Sequence, residues 1–229
     1  MRLLHEDSLA ATVDAVNEAE FLQAETEPDE RRRTADWIAS RQGLPGSYHG
    51  LFAPTAQDLS APYRMFTGEQ IRTDAGLRHV LGEEACRALL LLRRDSSQQA
   101  AEARERATQQ ITRKLLDDAG RNPAGFYCCG KCSVSLWRHA CRGSVGRGEE
   151  ELTGAIKLLR QHRDGKGRWR RFPFYYSISA LAEFEGVSGV VEELRYAAPS
   201  VQRALKGARA QEPYLHRRQV LAERVLAMC

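Results

Sequence analysis

The chain has 229 residues, 42% of them hydrophobic and 28% charged, with a formal net charge of +4, which excludes a wholly disordered or fibrous class and leaves enough apolar material for a substantial core. Its longest purely apolar run, Ala88 to Leu92, is far below the roughly 20 residues a transmembrane helix needs, so no membrane span is expected. Met1 to Leu4 is followed at once by His5, Glu6 and Asp7; without an apolar signal-peptide core, a cytoplasmic location is expected.

Taken in chain order, Leu9, Val13, Val16, Phe21 and Leu22 recur near helical spacing and predict an amphipathic helix over 3–25. Pro28 suits the first turn of a second helix that carries Ala35, Ile38 and Ala39 inward and stops at Gly43. Residues 43–67 form a long Gly-, Pro- and Ser-containing loop with Tyr48, Phe52, Tyr63 and Phe66, of the kind that folds over a surface or pocket. Thr67 followed by Gln70 is a capping-box pattern that opens a helix ending near Gly82, and 83–95 resume with Ala85, Ala88, Leu89 and Leu92 on one face. Residues 96–118 predict an exposed helix, and 120–125, with Asn122-Pro123, the strongest break. Beyond it, helices are expected over 132–142, 149–162, 175–185, 199–210 and 213–228, with a turn at Asp164-Gly165-Lys166-Gly167. No alternating apolar and polar stretch argues for a sheet. The fold class is all-α, built of helical hairpins, with an N-terminal half 1–120 and a C-terminal half 121–229 forming one unit.

Charge is unevenly spread. Residues 1–30 carry nine acidic side chains against Arg2 alone and read as a solvated helix face. Residues 157–171 carry Lys157, Arg160, Arg163, Lys166, Arg168, Arg170 and Arg171 against Asp164 alone. With Trp169 among them, Arg168, Arg170 and Arg171 are candidates to bind an anion, whether a small ligand, nucleic acid or a protein partner, although a solvated loop accounts for them equally well.

In a reducing compartment the six cysteines read as metal ligands, redox thiols or buried small residues rather than a disulfide frame. Cys129-Gly130-Lys131-Cys132, with Cys128 adjacent, has zinc-ligand spacing but needs a further ligand. A set of Cys128, Cys129, Cys132 and His162 meets that need. Cys132 and His139 are two helical turns apart, about 10 Å along the axis, too far to share one metal on a continuous helix. As a redox pair, Cys129 and Cys132 at a helix start lie near unpaired N–H groups that lower a thiol pKa, with Lys131 and His139 as assisting residues. The same cysteines also fit a tightly packed helix start with Trp137 in the core, and His49 and His79 read as core or surface residues. A helical Cys-x-x-Cys followed by a histidine is similar to that of small peroxidase-like helical proteins. No nucleotide-binding glycine motif is present, since Gly143 to Gly148 follows a helix and not a strand.

Leu158-Leu159-Arg160-Gln161, the Asp164 to Trp169 turn and Phe174-Tyr175 with Leu181 resemble the repeat of the α/α-toroid superfamily of terpene cyclases and protein prenyltransferases, and 37–52 look like a more degenerate copy. Cys132 to Trp137 is also similar to the prenyltransferase helix that begins with a zinc-binding cysteine. The resemblance implies a full or partial ring of helical hairpins around an apolar cavity. Tyr48, Phe52, Trp137, Trp169, Phe174, Tyr175 and Tyr176 would line that cavity, with a thiol or zinc site at its rim. It does not carry the activity: Tyr176 stands where the prenyltransferase pattern has a histidine ligand, and Gly130-Lys131 where it has an acidic one. The resulting expectation is an enzyme or ligand binder for an apolar substrate with an anionic head. The competing expectation is a non-catalytic helical scaffold that binds protein or nucleic acid through 157–171.

Overall fold

The computed structural model describes residues 1–143, 145–206 and 214–229, and ten α-helices lie among them. They are α1 (Leu9–Leu22), α2 (Pro28–Ser40), α3 (Ala56–Ser60), α4 (Asp74–Leu91), α5 (Gln98–Asp118), α6 (Gly130–Ala140), α7 (Glu149–Gln161), α8 (Phe174–Leu181), α9 (Val190–Lys206) and α10 (Leu215–Ala227). The all-α expectation holds: β-type backbone pairing, among the described residues, is confined to three isolated antiparallel bridges.

Helix starts follow local side-chain chemistry. Ser8 caps α1 by accepting from the Ala11 N–H, and the Asp58 carboxylate of α3 accepts from the Leu9 and Ala10 N–H groups at 3.0 and 3.1 Å. These bonds satisfy donors that the first turn of a helix leaves free. Pro28 opens α2 as expected.

The expected pair of helices over 67–82 and 83–95 is instead one helix, α4, capped by Thr73, whose hydroxyl accepts from the Gly76 N–H. Thr67 lies in a tight turn where the Gly68 N–H donates to the Met65 carbonyl at 2.7 Å, and its hydroxyl donates to Glu69. Gly82 does not end α4. A Cβ there would lie 3.2 Å from Leu51, so glycine lets the 43–55 loop seat on the helix. Helix α5 is exposed along one side only, because Ala100, Ala103, Ala107, Ile111 and Leu115 bury a stripe. The last expected pair also shifts, α9 running through Pro199 from Val190. Residues 207–210 and 213 of that expectation lie outside the described residues.

Helix α1 packs on α4, α4 on α6, α6 on α8 and α8 on α10. Arg217 of α10 then reaches back to Asp14 at 2.7 Å and Glu18 at 3.0 Å on α1. Five helices thus follow one another around a ring, while α2 and α5 lie against α4, and α7 and α9 against α6, α8 and α10.

Buried polar side chains meet at the centre of this ring. Arg138 donates to both Glu84 oxygens at 3.0 and 2.9 Å and to Asn17 at 3.1 Å. Arg87 donates to Asn17 at 3.0 Å and pairs with Glu183 at 2.8 Å, and Tyr176 donates to Glu84. Two guanidinium groups and two carboxylates balance, and each charge has several partners, which is the condition for burying ions at tolerable cost. One continuous apolar cluster surrounds this network and runs through both halves of the chain.

Candidate metal centre

The segment that delivers the cysteines is fixed at several points. Asn122 donates to the Tyr127 carbonyl at 2.9 Å, the Gly125 N–H donates to Glu151 at 2.6 Å, and the Trp137 indole donates to the Gly125 carbonyl at 2.6 Å. The Tyr127 N–H donates to Ser133 at 3.0 Å, and Ser133 donates to the Cys129 carbonyl at 2.8 Å. Two glycines allow the backbone to sit this close: Cβ atoms on Gly125 and Gly154 would lie 2.4 and 2.2 Å from backbone atoms of Ala155 and Ala124. The result is a preset loop with Cys128 and Cys129 exposed at the start of α6 and Cys132 buried in its first turn.

His79 of α4 faces this loop. The ligand atoms of His79, Cys128 and Cys132 all lie within 4.8 Å of one another. Nδ1 of His79 is 3.3 Å from the Cys128 sulfur, against about 3.5 Å for a tetrahedral pair with bonds of roughly 2.0 and 2.3 Å. The imidazole is 3% exposed, stacks on Tyr48 at 3.9 Å and meets the edge of Tyr127 at 4.3 Å. Burial moves its pKa down to about 3, which keeps the ring neutral, the form that binds metals.

The three thiols lie against one another. Hydrogen bonds from Cys128 and Cys132, with the N–H groups of Cys132 and Lys131, hold the Cys129 thiol well below the ordinary range. The contact with Cys129, with burial, pushes the Cys128 thiol up, and contacts with both other sulfurs push the Cys132 thiol up.

Several expected site residues stand elsewhere. His162 donates to the Leu158 carbonyl at 2.9 Å and meets the edge of Phe172; the imidazole grouped with the cysteines is that of His79 instead. His139 is 1% exposed and holds Glu83 at 3.1 Å, two turns along α6 from Cys132. It belongs to the buried α4–α6 interface rather than to the thiol cluster. Lys131 donates to the Gln70 carbonyl at 2.7 Å.

The seven pocket aromatics divide among separate environments. Tyr48 stacks on His79. Phe52 is fully buried, and Trp137 stacks on Phe172 at 5.3 Å. Trp169 packs near Phe174 at 6.2 Å and donates to Glu193 at 2.9 Å. Tyr175 lies under Arg218, while Tyr176 enters the central ionic network. The convergence expected around one concavity is not what the structure has, because the ring's centre is occupied by Arg138, Glu84 and Asn17. One open surface cleft is charged, lined in part by Glu20, Arg31, Arg93, Arg142 and Glu183, and holds none of the seven.

The basic stretch is partly neutralised. Arg163 and Arg160 pair with Glu193 at 2.8 and 3.5 Å. Arg168, Arg170 and Arg171 are exposed, with Arg168 over Phe174 at 4.6 Å and Arg171 over Phe126 at 5.9 Å. The backbone of this loop crosses the start of α6 so closely that a Cβ on Gly130 would lie 1.9 Å from the Arg171 carbonyl.

Sequence reading missed His79 because 49 residues separate it from Cys128 and no motif spacing links them. No family model, curated protein or solved structure matches this chain.

Proposed function

We propose that this protein binds a thiophilic divalent metal, zinc by preference, through His79, Cys128 and Cys132. The observation that carries the reading is the convergence of one imidazole and two thiols within 4.8 Å, with His79 and Cys132 buried and Cys128 exposed. Thiolate and imidazole donors select zinc over hard cations such as magnesium. Three protein ligands with one position left open is the pattern of metals that act on a substrate, where zinc serves as a Lewis acid and brings bound water to a pKa of about 7. Cys129, whose thiol contacts those of Cys128 and Cys132, lies outside this group of three and leaves the fourth position open. The function proposed is therefore metal-assisted chemistry, or metal-dependent ligand binding, at the junction of α4 and α6.

Elemental analysis of the protein purified without added metal, together with zinc titration of the apoprotein in a chromophoric competition assay, tests this. One equivalent of zinc released by thiol modification is the expected result. A metal-free protein that takes up no zinc at micromolar concentration overturns it.

A second reading has its own observation. The exposed Cys129 thiol, held low by its neighbours, has the character of a reactive thiol beside two partners. Rapid alkylation of Cys129 in a metal-free protein, with a disulfide forming among the three cysteines under mild oxidation, favours this reading over the first.

A further inference from the structure

Three non-glycine residues among those described have a left-handed backbone: Gln23, His49 and Arg171, with φ of 53°, 46° and 71°. Gln23 is explained as the C-cap of α1. The other two lie in separate loops, 122 positions apart in sequence: His49 is one ring from His79 through Tyr48, and the Arg171 carbonyl abuts the start of α6 beside Cys129. A side chain other than glycine in this region costs of order 1 kcal/mol, and such residues concentrate where a loop presents a group to a ligand.

His49 packs its ring edge on Tyr48 at 4.5 Å, and Tyr48 in turn stacks on His79. Arg171 touches the segment that carries the cysteines. Its carbonyl abuts Gly130, the residue after Cys129, and its guanidinium lies over Phe126, two residues before Cys128. His49 lies within the loop closed by the Gln42–Phe52 bridge, whereas Arg171 lies two residues beyond the Arg163–Trp169 bridge, where the chain turns into α8.

We infer that His49 and Arg171 form an oxyanion-recognising rim, so that the ligand taken at the open metal position carries a carboxylate or a phosphate. The inference rests on the metal reading above. The metal supplies one contact to the anion, the Arg171 guanidinium a charge-assisted hydrogen bond, and the His49 imidazole an N–H. The aromatic rings beside the site, Tyr48 and Tyr127, are already packed on His79, so the class indicated is a small polar acid or phosphoryl compound.

Cobalt(II) is the probe. The full chain is loaded with cobalt, and its thiolate charge-transfer absorption and visible d–d bands are followed while inorganic phosphate, and separately acetate, is added. The expected result is a saturable shift of the d–d bands with the charge-transfer absorption retained, showing an anion bound without loss of metal. Arg171→Ala and His49→Ala should each weaken the anion response about tenfold, the loss of roughly one charge-assisted hydrogen bond, with cobalt affinity unchanged. Arg171→Gly, which removes the side chain and suits the left-handed backbone, should behave as Arg171→Ala does. Arg168→Ala should respond as the wild type. Intact charge-transfer absorption with d–d bands that ignore both anions, or equal responses in the wild type and both alanine variants, overturns the rim and leaves the metal reading standing. Absence of any thiolate charge transfer overturns the metal reading and the rim together.

Discussion

Nδ1 of His79 lies 3.3 Å from the sulfur of Cys128, although one comes from the first half of the chain and the other from the second. The contact exists because α4 and α6 form a close helix pair and because the 120–129 loop is fixed before α6 begins. Of the two imidazoles compared as ligands, His79 is therefore the one whose removal should matter. His79→Ala and Cys132→Ser should each lower zinc affinity by well over tenfold, whereas His162→Ala should leave it near that of the wild type. Competition titrations with a zinc chelator read this directly. Equal affinities for His79→Ala and His162→Ala would remove His79 from the site.

Arg138, 1% exposed, binds Glu84 and Asn17 and approaches Glu183. Arg138→Met should destabilise the protein by about 3–5 kcal/mol, since it leaves buried carboxylates without their partner. Adding Glu84→Gln should recover part of that loss, because the remaining group is then neutral. Urea unfolding of the single and double variants measures both. A double variant less stable than Arg138→Met would argue against charge imbalance as the cause.

Burial alone would raise the pKa of Glu183, but Arg87, Arg138 and Arg142 outweigh it and hold the carboxyl below the ordinary value. A carboxyl depressed in the folded state contributes stability that is present above the unfolded value of about 4.3 and is lost as pH falls through the folded one. Wild type should therefore lose stability on acidification below about pH 4.3. The gap between it and Glu183→Gln, large at neutral pH, should narrow there. A gap that stays constant from neutral to pH 3 would show that Glu183 does not carry this acid sensitivity.

Gly130 and Gly120 form a matched pair for substitution. A Cβ on Gly130 meets the Arg171 carbonyl at 1.9 Å, while one on Gly120 meets nothing within 4 Å. Gly130→Ala should force the 170–172 backbone away from α6, costing about 1–3 kcal/mol and weakening zinc binding. Gly120→Ala should be close to neutral, as nothing is crowded there. Thermal unfolding with zinc titration separates the two, and a stable Gly130→Ala protein with unaltered zinc affinity would show that the loop contact does not position the cysteines.

Helical periodicity and breaker residues sufficed for the all-α class, for α2, α6 and α7 to within a few residues, for the existence of α1 though not its start at Leu9, and for a break between α5 and α6, because these depend on interactions within a turn or two of chain. Local rules failed where distant packing intervened. Gly82 reads as a helix end, but Leu51 packs on it and α4 continues. Pro199 reads as a start, but α9 runs through it while Tyr196 and Ser200 bind the 164–168 turn. Cys128, Cys129 and Cys132 stood out from the sequence as a group of potential ligands, since their spacing is local. Their histidine did not, because a ligand from another helix leaves no spacing signal. The ring interior was decided by tertiary structure alone: Arg138, Glu84, Arg87 and Asn17 look like ordinary polar helix residues in sequence. Only the packing of α1, α4, α6 and α8 removes them from water and obliges each to find the others.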